Sequence, residues 1–245
     1  MIKYREWKKY LQGQVDNGSI YLWGGQGEHR DTLTDAYIKG RETSSSNAKR
    51  VINLRDKRIK AGYKDFRAYD CSGLAVYKLL SSGEISSDMT AHGIYSKCEK
   101  IKRSELKAGD FVFRLKDGHA HHIGYVVDDL KVIHARGRDY GVVLETLNQN
   151  GSTYWNGYGR SPWVEEYKPE EKYIFNRNLK KGMKGEDVKQ LQMLLNANEF
   201  NCGSADGIYG SNTLKAVKKC QKAHNLKVDG IAGKNTIKAL GGVFK

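Results

Sequence analysis

Within the first two thirds of the chain the period of the apolar residues changes once, at Gly109, and this change limits the folds available to that part. Before Gly109 the spacing is helical: Tyr4, Trp7, Leu11 and Val15 fall on one helix face, which ends at Asn17-Gly18. A second helix is expected from Ser46 to Ala61, with serines at its start and Gly62 just past its end. A third is expected from Leu74 to Leu80, directly after Cys71. After Gly109 the apolar residues alternate, which predicts strands over 110–115, 122–127, 131–135, 142–147 and 157–164. Helices followed by a run of strands define an α+β fold with an antiparallel sheet.

Residues 165–178 are charged, lack a sustained period and contain Pro169, so 166–177 is expected to be a linker between domains 1–165 and 178–245. Beyond it, Glu186 to Ala197 reads as a helix with Val188, Leu191, Leu194 and Leu195 as its apolar stripe. A repeat follows: the twelve residues from Asp206 match the twelve from Asp229 at eight positions. Each copy starts Asp-Gly-Ile and leads from a glycine-rich loop into a helix. Two copies are too few for a solenoid, so a small all-α three-helix domain is expected, with the loops serving as turn chemistry.

The charge is uneven. Residues 177–245 hold 13 Lys and Arg against 5 Asp and Glu, a surplus of 8, out of +14 for all 245 residues. A dense basic region suits a polyanion such as an anionic cell wall, and no nucleic-acid motif accompanies it. The four cysteines, Cys71, Cys98, Cys202 and Cys220, form no CxxC pair, which argues against a zinc ribbon. No apolar run approaches the ~20 residues that span a bilayer. The first residues, Met1-Ile2-Lys3-Tyr4-Arg5, lack the apolar core of a secretory signal, so synthesis in the cytoplasm is expected and any destination outside it would need a non-standard exit.

Asp70-Cys71-Ser72-Gly73 carries the chemistry. A cysteine at a helix start, beside a carboxylate and a hydroxyl, sits where the helix dipole favours a thiolate. Histidines downstream provide a base. His119, His121, His122 and His134 lie within sixteen residues, but His119 and His121 read as exposed loop residues, and no carboxylate or thiolate stands at metal-ligand spacing. His122 and His134 fall on one face of a hairpin if the loop between them has an odd number of residues, and on opposite faces if it is a two-residue turn. On one face they complete a nucleophile, a base and an orienting group. Ile123, Tyr125, Val127, Ile133 and Ala135 then form the core face.

These residues resemble the NlpC-type cell-wall cysteine peptidases. The pieces occur in the family's order: Tyr21-Leu22-Trp23-Gly24-Gly25, Asp70-Cys71-Ser72-Gly73-Leu74, Gly109-Asp110, His122-Ile123-Gly124-Tyr125-Val126-Val127 and Ile133-His134-Ala135. The resemblance implies a papain-like fold with Cys71 as nucleophile, His122 as general base and His134 as orienter, acting without a cofactor or metal. It implies hydrolysis of peptidoglycan between D-γ-glutamate and a diamino acid, with Tyr21, Asp70 and Ser72 reading the free amine of the stem peptide. The chain departs from the family pattern at residues 26–69, an insert carrying Arg30, Arg41 and Glu42 that is expected to border the cleft. Residues 178–242 resemble the peptidoglycan-binding type 1 module, with Cys220 where that family has a core phenylalanine. Together they suggest a monomeric phage or prophage endolysin whose partner is peptidoglycan, with neither nucleic acid nor membrane bound. A CHAP-type amidase cutting another wall amide, or a non-catalytic wall-binding protein, is the alternative.

Overall fold

The computed structural model describes residues 1–128, 131–151, 153–167 and 173–245. Its contacts divide the chain into two compact units, Met1–Lys168 and Pro169–Lys245.

The first unit opens with α1 (Tyr4–Asp16), which buries Tyr4, Trp7 and Leu11 as its spacing predicts. Strand β1 (Ile20–Tyr21) follows, and then the insert. The insert forms β2 (Gln26–His29), α2 (Asp35–Arg41), α3 (Ser45–Lys60) and β3 (Arg67–Tyr69). Side-chain oxygens of Thr34 and Ser44 cap α2 and α3, satisfying amides that a helix leaves unpaired at its start. β3 lies between β1 and β2, parallel to the first and antiparallel to the second. The insert therefore leaves β1 and returns beside it.

α4 (Gly73–Ser81) and α5 (Ala91–Lys97) precede the main sheet. Its six strands are β4 (Glu99–Lys100), β5 (Phe111–Lys116), β6 (His119–Asp128), β7 (Lys131–Gly137), β8 (Gly141–Thr146) and β9 (Gly157–Arg160). They are antiparallel throughout, in the order β4-β9-β5-β6-β7-β8. One face, with Ile123, Tyr125, Val127, Ile133 and Ala135, packs on Trp7, Leu11 and the apolar residues of α4. The other carries a smaller cluster of Val112, Val126, Val132, Leu147 and Trp155. His119 and His121 are exposed, as expected, but lie on β6 rather than in a loop, and His119 stacks on His92 at 4.0 Å. Their strand reaches further back than the apolar alternation because Lys116↔His119 and Leu115↔Ala120 extend the ladder past a register shift.

The second unit contains β10 (Ile174–Phe175), α6 (Glu186–Ala197), α7 (Ser211–Ala223), α8 (Lys234–Ala239) and β11 (Val243–Phe244). β10 falls within the stretch expected to be a linker and pairs in parallel with β11; the linker's residues 168–172 lie outside the described residues. Cys220 is fully buried in this unit's core with Val188, Leu191, Leu195, Val217 and Ile237. All four cysteines are free thiols.

The repeat is a pair of identical hydrogen-bond knots. Gln192 Nε2 donates to Asp206 Oδ1, Ile208 O and Thr213 Oγ1, while its Oε1 accepts from Gly207 N. Gln221 does the same with Asp229, Ile231, Thr236 and Gly230. Each buried glutamine ties a loop to the helix that follows, and the Asp in each loop also accepts from the Ile amide two residues on. The Asp-Gly-Ile repeat is thus turn chemistry with an internal partner. Replacing Gln221 with Leu leaves several of these groups unpaired in the core, so a loss of about 2–4 kcal/mol is expected. Hydrogen exchange of the α7 amides in the full chain will show it as faster exchange, with β5–β7 unaffected.

Candidate active site

The two motifs on either side of the insert are locked together by backbone. Ile20 and Tyr21 pair with Ala68 and Tyr69. Leu22 N donates to Tyr69 O at 3.1 Å, and Asp70 N donates to Gly25 O at 2.9 Å. A Cβ on Gly73 would lie 2.0 Å from Gly25 O, so only glycine allows this approach. The 44 residues between the motifs thus leave the cysteine turn beside Tyr21.

Cys71 sits in the turn before α4 rather than in its first helical turn. Asp70 is the reason: its Oδ1 accepts from Gly73 N at 2.6 Å and from Ser72 Oγ at 3.0 Å, so regular helix begins at Gly73. Burial raises the pKa of Asp70. The expected thiolate is not the resting form either. Burial and the Asp70 carboxylate push the Cys71 thiol up to about 12, outweighing the amides of Ile123, Ser72 and Cys71 itself that favour the anion.

β6 holds this turn in place. Tyr125, fully buried, donates from its hydroxyl to Cys71 O at 2.8 Å. The β6–β7 ladder runs from Asp128↔Lys131 only to Tyr125↔Ile133. The Ile123 amide points the same way as that of Tyr125, toward β7, and the Cys71 thiol faces it where the strands part.

The histidines share a face by an indirect route. Only two residues, 129 and 130, separate Asp128 from Lys131, the turn length that would put His122 and His134 on opposite faces. A register shift between Val126 and Asp128 adds one residue to β6 and restores the shared face. In this register Gly124 lies opposite His134 and His122 is one two-residue step away. His122 Nε2 and His134 Nδ1 are 2.9 Å apart.

Three features of this site were not evident from the sequence. His134 Nε2 lies 3.1 Å from Glu145 Oε2, and both side chains are buried. Glu145 also accepts from Arg136 Nη1 at 2.6 Å and Asn150 Nδ2 at 2.7 Å. Trp155 covers the pair, stacked on His122 (5.6 Å, 12°) and edge-on to His134 (5.2 Å, 74°). A Cβ on Gly124 would lie 2.8 Å from the Trp155 ring and 2.6 Å from Val132, so the indole needs glycine beneath it. No pattern in the sequence marked Glu145, since Leu144 is exposed and Glu145 buried on β8, the reverse of what residue type alone suggests.

The insert reaches the site through Glu42, whose buried carboxylate accepts from Trp23 N at 3.1 Å and pairs with Arg138 at 2.7 Å. The Arg138 guanidinium lies 5.3 Å from the centre of the Tyr21 ring. Tyr21 is buried, and burial, with the neighbouring Cys71 and Asp70, raises its hydroxyl pKa. Arg41 bonds to Gly24 O and Glu28. Arg30 instead turns into the insert, to Tyr63 O and Asp31.

A half-buried thiol in the turn before a helix, held against β6 by Tyr125 and facing the Ile123 amide next to His122 in sequence, together with a hydrogen-bonded histidine pair on an antiparallel sheet, is the layout of a papain-like cysteine peptidase. Residues 18–158, more than half of the chain, match the NlpC/P60 family, and the chain belongs to that family. Residues 184–240 match the putative peptidoglycan binding domain. Together these make the chain a peptidoglycan hydrolase of the cysteine peptidase class. Among solved structures it is similar to the NlpC/p60 domain of the peptidoglycan hydrolase SagA, at 19% identity over 62% of this chain and 97% of that one, with a TM-score of 0.38. It is also similar to the SleB N-terminal domain, at 38% identity over 28% of this chain and 94% of that one, with a TM-score of 0.28. A third similarity is to the Burkholderia AP3 phage endolysin, at 42% identity over 26% of this chain, with a TM-score of 0.25; the chain spans only 24% of that protein.

Burial lowers the pKa of both His122 and His134. On unfolding, each takes up protons near its ordinary value of about 6.5. Stability is therefore full above that value and falls as pH drops below it. Replacing Trp155 with Ala is expected to cost about 3–5 kcal/mol. It also admits water to the histidines, so the decline below about pH 6.5 becomes shallower. Urea unfolding at several pH values, followed by the fluorescence of the remaining tryptophans, measures both effects.

Proposed function

We propose that Cys71, His122 and His134 form the catalytic triad of a peptidoglycan endopeptidase. The observation that carries this reading is the 2.9 Å contact between His122 Nε2 and His134 Nδ1, which leaves His122 Nδ1 to serve as the base. With a thiol near 12 and histidines held neutral, the resting pair is uncharged. The thiol proton passes to His122 as sulfur attacks the amide carbonyl. The Cys71 amide is a donor for the developing oxyanion. The tetrahedral adduct collapses to a thioester, the leaving amine takes the proton from His122, and water activated by His122 releases the acid and restores the thiol.

The bond assigned is that between D-γ-glutamate and the diamino acid of the stem peptide. The free stem amine falls to Asp70 and Tyr21, with Ser72 orienting the carboxylate through its 3.0 Å bond. Burial makes the Asp70 charge costly, and an arriving ammonium offsets that cost. Glu42 and Arg138 from the insert and the β7–β8 turn border this end of the cleft. Residues 1–165 act as the catalytic domain and 178–245 as the wall-binding domain, which raises the enzyme's concentration at its polymer. A phage or prophage lytic enzyme fits this pairing of activities.

Digestion of purified peptidoglycan followed by mass spectrometry tests the reading. Release of glycan-linked L-alanyl-D-glutamate ends, abolished in Cys71→Ala, is the expected result. Fragments ending at muramic acid would indicate an amidase instead, and unchanged cleavage by Cys71→Ala would remove Cys71 from the chemistry.

A further inference from the structure

We infer that Glu145 is a positioning residue that fixes the protonation pattern of both histidines, extending the triad to a four-member relay. The inference rests on the triad reading above. An ionised carboxylate only accepts hydrogen bonds. With Glu145 Oε2 3.1 Å from His134 Nε2, the proton of neutral His134 must be on Nε2. His134 Nδ1 is then an acceptor, so at 2.9 Å the donor must be His122 Nε2–H. That in turn leaves His122 Nδ1 unprotonated and able to take the thiol proton. The carboxylate thus determines which nitrogen of a ring two hydrogen bonds away can act as the base, by the logic that makes an orienting carboxylate essential in a nucleophilic triad.

Glu145 is itself held rigidly. Arg136 donates to Oε1 at 2.6 Å and to Asn150 Oδ1 at 3.0 Å, and Asn150 Nδ2 returns a bond to Glu145 Oε2 at 2.7 Å. This closed ring leaves the carboxylate little freedom to rotate, and Trp155 keeps water from competing for the histidines. The hydrogen bond from His134, followed by those from Asn150 and the charge of Arg136, lowers the pKa of Glu145 despite its burial, so it is ionised at neutral pH. Its charge favours a cationic histidine pair and that of Arg136 opposes one. The other charged or titratable groups acting on the pair are Arg114 on β5 and His121 on β6, which also oppose protonation.

Two substitutions with opposite electrostatic effects provide the test, in the full chain on a soluble stem peptide. Glu145→Gln keeps the shape and an acceptor but removes the charge. Its kcat should fall by about 10–100-fold, the usual cost of removing an orienting outer partner, with KM unchanged. The acid limb of its pH profile, where the histidine pair takes up a proton, should move to lower pH. Arg136→Met removes the opposing charge, and its acid limb should move to higher pH. A purely structural role would not shift the limb in opposite directions. If Glu145→Gln fails to fold, the direction of the Arg136→Met shift still decides. The inference is overturned if kcat stays within about twofold and the limb stays in place, or if both variants move it the same way. Cys71→Ala separates the two claims: activity surviving in it defeats the triad reading, whereas an inactive Cys71→Ala beside an unmoved Glu145→Gln defeats only the role of Glu145.

Discussion

The contact between the Gly25 backbone and Gly73 is the constraint on which the site depends. It joins the parallel pair Ile20↔Ala68 and Tyr21↔Tyr69 to the bond from Asp70 N to Gly25 O, and so brings Tyr21 beside a cysteine turn fifty residues later. Any side chain at residue 73 would drive the two segments apart. Because the constraint is made by backbone at both ends of the insert, the 44 residues between can build two helices and two strands without disturbing the site. The insert instead adds to the rim, where Glu42 bonds to Trp23 and Arg138.

A second constraint is electrostatic. The thiol turn, both histidines and Glu145 are removed from water to differing degrees, and burial disfavours charge at each. Cys71 and the histidines respond by resting neutral, whereas Glu145 remains ionised because three donors surround it. One fixed charge at the end of a chain of neutral groups gives that chain a direction. Trp155, lying over Gly124, keeps the chain dry.

How much of this was legible in the sequence depended on whether a residue acts through local pattern or through distant partners. The α+β order, the α6 stripe and the core face of β6 and β7 follow from periodicity, because burial alone sets them. The shared face of His122 and His134 was legible only conditionally. The condition was an odd number of residues between the paired strand ends; the shared face arises instead from the register shift between Val126 and Asp128. Cys71 stood out as the candidate nucleophile, but its neutral resting state did not, since the helix start was evident while the burial around it was not. Glu145 and Trp155 were missed because their partners are eleven to thirty-three residues away, across strands whose register the sequence does not state. Strands β2 and β10 are too short to show a period.

The relay requires a fixed donor direction from His122 through His134 to Glu145. Nitrogen-15 NMR of the histidine-labelled protein at neutral pH tests it most directly, because ring nitrogen shifts distinguish the two neutral tautomers and the cation. The expected result is that His122 and His134 are both neutral and both protonated on Nε2. A His122 protonated on Nδ1, or a cationic His134, would reverse that direction and contradict the account.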